Sequence, residues 1–169
     1  MPAEELEIPG QKLHAQECHL WHISLAPPDE SHPIRTEYLS DEEKTRAAKF
    51  LLPAPRRQFV TTRNILRALL GAYLKTPPGR IPFALNPFGK PSLPAPFAEL
   101  RFNVSHSGQQ ALIAITRAGE VGVEIEQQRG GSDIFGLAKM IFCPEDLEIW
   151  LELPSLEQRP AFYNAWSRK

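Results

Sequence analysis

The stretch that decides the fold reads LRFNVSHSGQQALIAITRAGEVGVEIE and spans residues 100–126. Its apolar and polar residues alternate, which predicts strands over Leu100–Val104, Ala111–Thr116 and Val121–Glu126. A polar turn, SHSG, separates the first two strands. The connection RAGE is of hairpin length and contains Gly119, so we expect the third strand to return antiparallel to the second. The stretch therefore predicts an antiparallel sheet.

Helices and one more strand surround this sheet. Ser40 followed three residues later by Glu43 forms a capping box, which predicts that a helix begins there. Apolar residues at helical spacing predict a longer helix further along the chain. This order of elements indicates an α+β fold. The elements expected outside the stretch are a strand over His19–Leu25, helices over Ser40–Leu52 and Pro55–Leu74, and three helices that begin near Ser132, Cys143 and Arg159.

Composition narrows the class of protein. The 169 residues are 42% hydrophobic and 23% charged, which suits one globular domain or two small halves. The formal net charge of −1 gives no basic field, and this argues against a nucleic-acid partner. No apolar run approaches the ~20 residues of a membrane helix, so we expect no membrane span. Cys18 and Cys143 lie far apart and no signal-like segment opens the chain, so we expect free thiols in a reducing cytoplasm.

Two carboxylates stand close together in VGVEIE. Glu124 and Glu126 are two residues apart, so on a strand they point to the same face and repel each other unless a positive charge lies between them. Hard carboxylate oxygens suit Mg²⁺, which takes one or two protein carboxylates and completes its shell with water and substrate phosphates. The alternative is that both side chains lie on the solvent face of an edge strand.

Hydroxyl and basic side chains elsewhere are typical of phosphate binding. Ser105, His106 and Ser107 form a polar turn that could cradle a phosphate, or whose serines satisfy local backbone groups. Lys90, held between a glycine and a proline in FGKP, is either a phosphate-contacting cation or a solvated loop lysine.

Arginines recur along the second helix. Arg56, Arg63 and Arg67 share one stripe at spacings of seven and four, and Arg46 on the preceding helix adds another cation. The alternative is an exposed amphipathic face. Taken together, cations, hydroxyls and paired acids predict a protein that binds a molecule bearing a pyrophosphate. No Walker-A loop and no G-x-G-x-x-G opens a helix, so the common nucleotide folds are not indicated.

Several short segments in this order resemble the 4′-phosphopantetheinyl transferases, in particular the larger, pseudodimeric type. The segments are LSDEEKTRAAKF, LLGAYL, NPFGKP, FNVSHS, VGVEIE, FCPED and AWSRK, and the resemblance runs from about residue 19 to the last residue. It implies transfer of the 4′-phosphopantetheine arm of coenzyme A to a serine of an acyl or peptidyl carrier protein. Adenosine 3′,5′-bisphosphate leaves and Mg²⁺ bridges protein acids and pyrophosphate. It also implies a monomer of two similar α+β halves with antiparallel sheets and packed helices, related by a pseudo-twofold axis.

The resemblance assigns roles to particular residues. The metal-binding acids of the family strand fall on Glu124 and Glu126. The expected catalytic residues are Glu126, His106 and Lys169, and the expected coenzyme A-binding residues are Arg46, Arg63, Lys90, Pro91, Ser105 and His106.

Two departures from the family pattern qualify these roles. The first acid is usually Asp, whereas this chain has Glu124; the extra methylene alters the position of the carboxylate. In the family a third acid follows the lysine of W-S-x-K, but Lys169 is the last residue here. We therefore expect a loose tail at 1–16, an N-terminal half at 17–117 and an incomplete C-terminal half at 118–169, with catalysis incomplete in this chain.

Two other functions remain open at this point. One is a non-catalytic module that binds coenzyme A or a carrier protein and lacks the last acid. The other is a metal-dependent phosphohydrolase, which we rank low because no water-activating base is visible beyond the paired acids. The codon after Lys169 distinguishes the transferase from the binding module. A glutamate codon favours the transferase, and a stop codon favours the binding module.

Overall fold

A computed structural model describes residues 12–26, 35–87, 89–131 and 133–168. Most of the expected tail at 1–16, the expected helix start at Ser132 and the predicted catalytic Lys169 therefore lie outside the described residues. The strands are β1 (Cys18–Ser24), β2 (Ala84–Leu85), β3 (Pro91–Ser92), β4 (Arg101–Ser107) and β5 (Gln110–Thr116); the helices are α1 (Asp41–Ala48), α2 (Pro53–Leu74), α3 (Ile134–Ile141), α4 (Pro144–Glu152) and α5 (Ser155–Trp166), with one 3₁₀ turn at Pro78–Arg80.

The main sheet has the strand order β1-β5-β4, and both pairs of strands are antiparallel. β4 and β5 form the hairpin, and Gly108 at its turn has a φ of 57°, a conformation that favours glycine. SHS therefore belongs to β4, which continues to Ser107 instead of ending at Val104. The α+β class with an antiparallel sheet is confirmed.

The expected pairing of Val121–Glu126 with β5 is wrong. Both edges of β5 are occupied, by β1 on one side and β4 on the other, so no edge is left for a third partner. Residues 121–126 form no backbone ladder and are not assigned as a strand. They lie beside β4 instead, as described below.

Helix ends follow local capping chemistry. Ser40 accepts a bond from the Glu43 amide while the Glu43 carboxylate accepts one from the Ser40 amide, so the predicted capping box is confirmed. α1 stops at Ala48, before the expected Leu52, and α2 begins at Pro53, where proline suits the first turn. α5 begins at Ser155 and contains Pro160, so the last helix starts earlier than expected.

Three hydrophobic clusters hold the elements together, and the two larger ones form a first and a second core. In the first, α2 packs against one face of the main sheet; in the second, the three C-terminal helices pack on one another. The first core includes Leu66, Leu69, Leu70, Phe102, Ile113 and Ile115, and the second contains Ala138, Trp150, Phe162 and Tyr163. No strand lies in the described part of 118–168, so the pseudo-twofold relation and the boundary at residues 117–118 stay predictions. None of the described helices is both long and apolar enough to cross a membrane.

Candidate functional site

Residues 121–127, which we call the acid segment, run beside β4 in the same direction. Three side chains of β4 at alternate positions accept hydrogen bonds from three backbone amides of the segment, with a constant offset of 20 residues. Side chains thus replace the carbonyl acceptors of an ordinary strand pair. The bonds run from the Val123 amide to Asn103 Oδ1 (2.9 Å), from the Ile125 amide to Ser105 Oγ (3.1 Å), and from the Gln127 amide to Ser107 Oγ (3.1 Å).

Glu126 is held through one carboxylate oxygen. Its Oε1 accepts a bond from the Ser107 hydroxyl and another, at 3.0 Å, from the Gln127 amide. The side chain is half-buried and lines a recess of about 570 Å³ beside the β4–β5 turn. Because both of these bonds engage Oε1, Oε2 is the oxygen left for a ligand or a proton.

Glu124 lies in a different recess, of about 470 Å³, together with the C-terminal end of α5. Its neighbours there include Asn103, Trp166 and Arg168. Glu124 itself is exposed. The structure therefore brings together two segments that are distant in sequence, VGVEIE and AWSRK. Of the recesses lined by described residues alone, Glu124 and Glu126 line two different ones.

The second core anchors the chain that follows the acid segment. The Arg129 amide donates to the Tyr163 hydroxyl at 3.1 Å, and the Arg159 guanidinium donates to the carbonyls of Arg129 and Gly130. β4 thus holds residues 123–127 and α5 holds residues 129–130. The backbone of the acid segment is therefore held by β4, and the chain that follows it is held by α5.

The donor chemistry of the segment suits Mg²⁺ only in part. Among the described residues there is no group of three or more His, Cys, Asp or Glu side chains that could hold a metal ion. Two carboxylates two residues apart are nevertheless a donor set that Mg²⁺ accepts, since it fills most positions with water and substrate phosphate. Glu124 and Glu126 would be the residues that hold it.

Ser105 and His106 point away from each other, because neighbouring residues of a strand face opposite sides. Ser105 is 8% exposed, and its hydroxyl both accepts from the Ile125 amide and donates to the Ile125 carbonyl at 3.5 Å. His106 is exposed and lies opposite Ala111. The turn expected at residues 105–107 is wrong, because these residues belong to β4. Their roles toward a phosphate stay predictions.

Arg63 and Arg67 share one carboxylate. Glu43 Oε1 lies 3.2 Å from Arg63 Nε and Glu43 Oε2 lies 2.6 Å from Arg67 Nε, and the three side chains are only 12%, 14% and 3% exposed for Glu43, Arg63 and Arg67. Arg67 also donates to the carbonyls of Pro78 and Ile81. This cluster, the Glu43 clasp, ties α1, α2 and the 3₁₀ turn together. The alternative of an exposed amphipathic face is wrong for Arg63 and Arg67.

Two phenylalanines separate the arginines. Arg46 and Arg63 lie over the ring of Phe59 at 5.0 and 5.8 Å, and Arg63 and Arg67 lie over Phe83 at 5.1 and 4.8 Å. Burial lowers the pKa of the Arg63 guanidinium; Glu43 acts against this, while Arg46 and Arg67 add to it. Arg46 is exposed. Of the two arginines predicted to contact coenzyme A, Arg46 faces solvent and Arg63 is paired with Glu43.

Lys90 lies in the small β2–β3 hairpin. Its side chain is exposed, and its amide donates to Asn86 Oδ1 at 2.9 Å. Gly89 before it has a φ of 79°, which favours glycine, and Pro91 after it begins β3. Lys90 and Pro91 line a recess of about 300 Å³ that also contains the Arg101–Glu120 ion pair. Lys90 and Glu124 line different recesses.

The sequence reasoning missed Asn103 as a functional candidate and read Ser107 only as part of a phosphate turn. One signal was available in the sequence. Asn103, Ser105 and Ser107, which have short polar side chains, occupy alternate positions of NVSHS. Such a row indicates a strand face that offers acceptors. The Glu43 clasp gave no local signal, because Glu43 and Arg67 are 24 residues apart.

Comparisons with known proteins identify the family of the chain. A family model described as "4′-phosphopantetheinyl transferase, N-terminal" matches residues 24–118. The 4′-phosphopantetheinyl transferase HetI of Nostoc sp. is 38% identical over 163 residues, which cover 95% of this chain and 69% of HetI. The protein slr0495 of Synechocystis sp. is 33% identical over 153 residues, which cover 87% of this chain and 61% of that protein.

A mammalian relative is more distant. The L-aminoadipate-semialdehyde dehydrogenase-phosphopantetheinyl transferase of Mus musculus is 28% identical over 156 residues, covering 81% of this chain and 50% of that protein. The chain belongs to the 4′-phosphopantetheinyl transferase family, which confirms the expectation from its motifs. It spans between half and about two thirds of the length of these relatives.

Proposed function

We propose that the protein transfers the 4′-phosphopantetheine arm of coenzyme A to a serine of an acyl or peptidyl carrier protein, with Mg²⁺, and releases adenosine 3′,5′-bisphosphate. The observation that carries this proposal is the position of Glu124 and Glu126. Their segment is fixed on β4 and meets the end of α5 in the recess that Glu124 shares with Trp166 and Arg168. In a family of transferases, two carboxylates on a segment whose backbone is fixed suit a metal-assisted transfer of a phosphate group.

The chain's own residues would bind, orient and accept a proton. Lys90 and Arg46, both exposed, would contact the phosphates of coenzyme A and set its orientation. Glu126 Oε2 would accept the proton of the carrier serine, while Oε1 stays bonded to Ser107 and Gln127. When bound, Mg²⁺ supplies neutralisation of charge on the pyrophosphate oxygens. The roles of His106 and Lys169 are carried over from the resemblance.

Arg63 would act on coenzyme A indirectly. The resemblance makes it a contact to coenzyme A, but its guanidinium is nearly buried against Glu43 and two phenylalanine rings. Arg63 therefore contributes to binding by supporting Arg46, with which it shares the Phe59 ring. Arg46 is the direct contact.

The test is a transfer assay followed by mass spectrometry of the carrier. The product of the complete reading frame that contains these residues is incubated with coenzyme A, Mg²⁺ and several apo carrier proteins. We expect the carrier mass to rise by one phosphopantetheine group, and the rise to be lost when Mg²⁺ is chelated. No rise with any carrier would contradict the transferase. If the same protein then bound coenzyme A or an apo carrier in calorimetry, the non-catalytic binding module would take its place.

A further inference from the structure

We propose that Asn103, Ser105 and Ser107 are positioning residues that set where the carboxylates of Glu124 and Glu126 lie. The backbone of β4 forms no hydrogen-bond ladder with the acid segment. The location of the segment therefore depends on the hydrogen bonds that these three side chains accept. The consequence for Mg²⁺ binding rests on the proposed function; the positioning itself does not.

The spacing of the bonds explains why the segment has one register. Acceptors at every second residue of β4 meet donors at every second residue of the acid segment, and each donor lies 20 residues after its acceptor. Residues at alternate positions of a strand share a face, so one face of β4 supplies all three acceptors. A shift of the segment by one residue would leave all three donors without these partners, and would turn its side chains to the opposite side.

Ser105 forms the central contact. Its hydroxyl accepts from the amide of Ile125 at 3.1 Å and donates to the carbonyl of the same residue at 3.5 Å. One side chain thereby satisfies both backbone groups that a neighbouring strand would satisfy. Ile125 lies between the two acids, so this contact fixes the backbone of the pair. With 8% exposure, Ser105 is shielded from solvent, and positioning describes its contacts better than direct phosphate binding does.

Ser107 and Asn103 act at the two ends of the pair. Ser107 accepts from the Gln127 amide and donates to Glu126 Oε1, so one hydroxyl orients both the backbone and the carboxylate. Asn103 Oδ1 accepts from the Val123 amide, next to Glu124, and Asn103 lines the same recess as Glu124. Each acid therefore has a β4 side chain that fixes the backbone beside it.

Amide hydrogen exchange measured by NMR tests this assignment without reference to catalysis. The variants are Asn103→Leu, Ser105→Ala and Ser107→Ala, each of which removes one acceptor. We expect exchange to become about fivefold faster or more at one amide in each variant: Val123 for the first, Ile125 for the second and Gln127 for the third. The third effect is the smallest, because Gln127 also donates to Glu126.

Matched variants separate positioning from general loss of stability. Ser105→Thr and Ser107→Thr keep the hydroxyl and should restore slow exchange, and Ser24→Ala, at an exposed serine of β1, should change none of the three amides. Faster exchange spread evenly over β4 and β5, or no change at the matched amides, would overturn the assignment. If Ser105→Ala does not fold, the Asn103 and Ser107 variants decide.

A second readout links the positions to the reaction. In the transfer assay, Ser107→Ala and Ser105→Ala should raise the Mg²⁺ concentration for half-maximal rate by about fivefold or more and leave KM for coenzyme A unchanged. A raised KM with unchanged Mg²⁺ dependence would instead make the serines phosphate contacts and overturn their positioning role. If the unaltered protein transfers nothing while the exchange pattern holds, the proposed function fails and the positioning stands.

Discussion

Glu43 and the pair Glu124 and Glu126 show two different uses of the same kind of side chain. Glu43 is 12% exposed and contacts two guanidinium groups, at 2.6 and 3.2 Å. Glu124 is exposed and Glu126 half-buried, and the contacts that hold their segment come from backbone amides and neutral side chains. Glu43 has its counter-charges within the fold. Glu124 and Glu126 have no counter-charge among the contacts described above.

The different pairing of these carboxylates predicts that Glu43 contributes to stability and that Glu124 and Glu126 contribute to function. A buried ion is tolerated only when it is paired and hydrogen-bonded, so the charges of the Glu43 clasp are committed to one another. Two neighbouring carboxylates without a cation repel each other, and this repulsion is relieved when a cation binds. We therefore expect changes at the clasp to lower the free energy of unfolding, and changes at the acid segment to lower activity while stability stays the same.

The largest effect should follow Glu126→Gln. The amide keeps the shape and an acceptor for the Ser107 hydroxyl, but it loses the charge and the capacity to accept a proton. We expect the transfer rate to fall by about a hundredfold or more, measured as the rate of carrier mass increase. The midpoint of urea unfolding should stay the same. A matched variant, Glu152→Gln on the exposed side of α4, should change neither quantity.

Loss of stability should be greatest for Glu43→Ala. It leaves Arg63 and Arg67 nearly buried without their shared carboxylate and removes the second half of the capping box. Breaking a buried ion pair by deleting one partner costs about 3–5 kcal/mol, and we expect the free energy of unfolding to fall by about 3 kcal/mol. Urea denaturation followed by circular dichroism measures it. A change below about 1 kcal/mol would remove the contrast between the two carboxylate sites.

The two arginines of the clasp should differ from each other. Arg67→Met removes an ion pair and two bonds to backbone carbonyls, at Pro78 and Ile81, whereas Arg63→Met removes only the ion pair among the described hydrogen bonds and salt bridges. We expect losses of about 2 kcal/mol for Arg67 and about 1 kcal/mol for Arg63. The same urea series gives both values. An equal loss would contradict this ranking. A loss of coenzyme A affinity in Arg63→Met with unchanged stability would instead make Arg63 a ligand contact.

Local chemistry was enough to predict much of the fold. The capping box at Ser40 and Glu43, the long α2 helix and the strands on both sides of SHSG follow from spacing and short-range hydrogen bonding. The wrong pairing of Val121–Glu126 has another cause. A connection of hairpin length predicts that two strands pair only if the first strand has a free edge. The second edge of β5 is occupied by β1, which is about 90 residues earlier in the chain.

The candidate site was harder to predict for the same reason. Each residue type suggested phosphate binding when it was considered alone, but partners far away in sequence decide which groups remain available. Arg63 looked like a free cation until Glu43 was brought against it, and Ser105 looked like an exposed hydroxyl until Ile125 covered it. The acids themselves could be identified from VGVEIE, because their pairing is local.

Glu124→Asp should give the smallest effect, and it tests how strictly the first acid is placed. Glu124 is exposed in its recess, so the loss of one methylene should leave the free energy of unfolding within about 0.5 kcal/mol. If Glu124 reaches Mg²⁺ through its own flexible side chain, the shorter acid should change the Mg²⁺ dependence of transfer by less than about tenfold. Glu124→Ala, measured in the same Mg²⁺ titration, should lose far more. Equal behaviour of the aspartate and alanine variants would mean that Glu126 alone binds the metal, because Asn103 and Ser105 fix the backbone beside Glu124 in all three proteins.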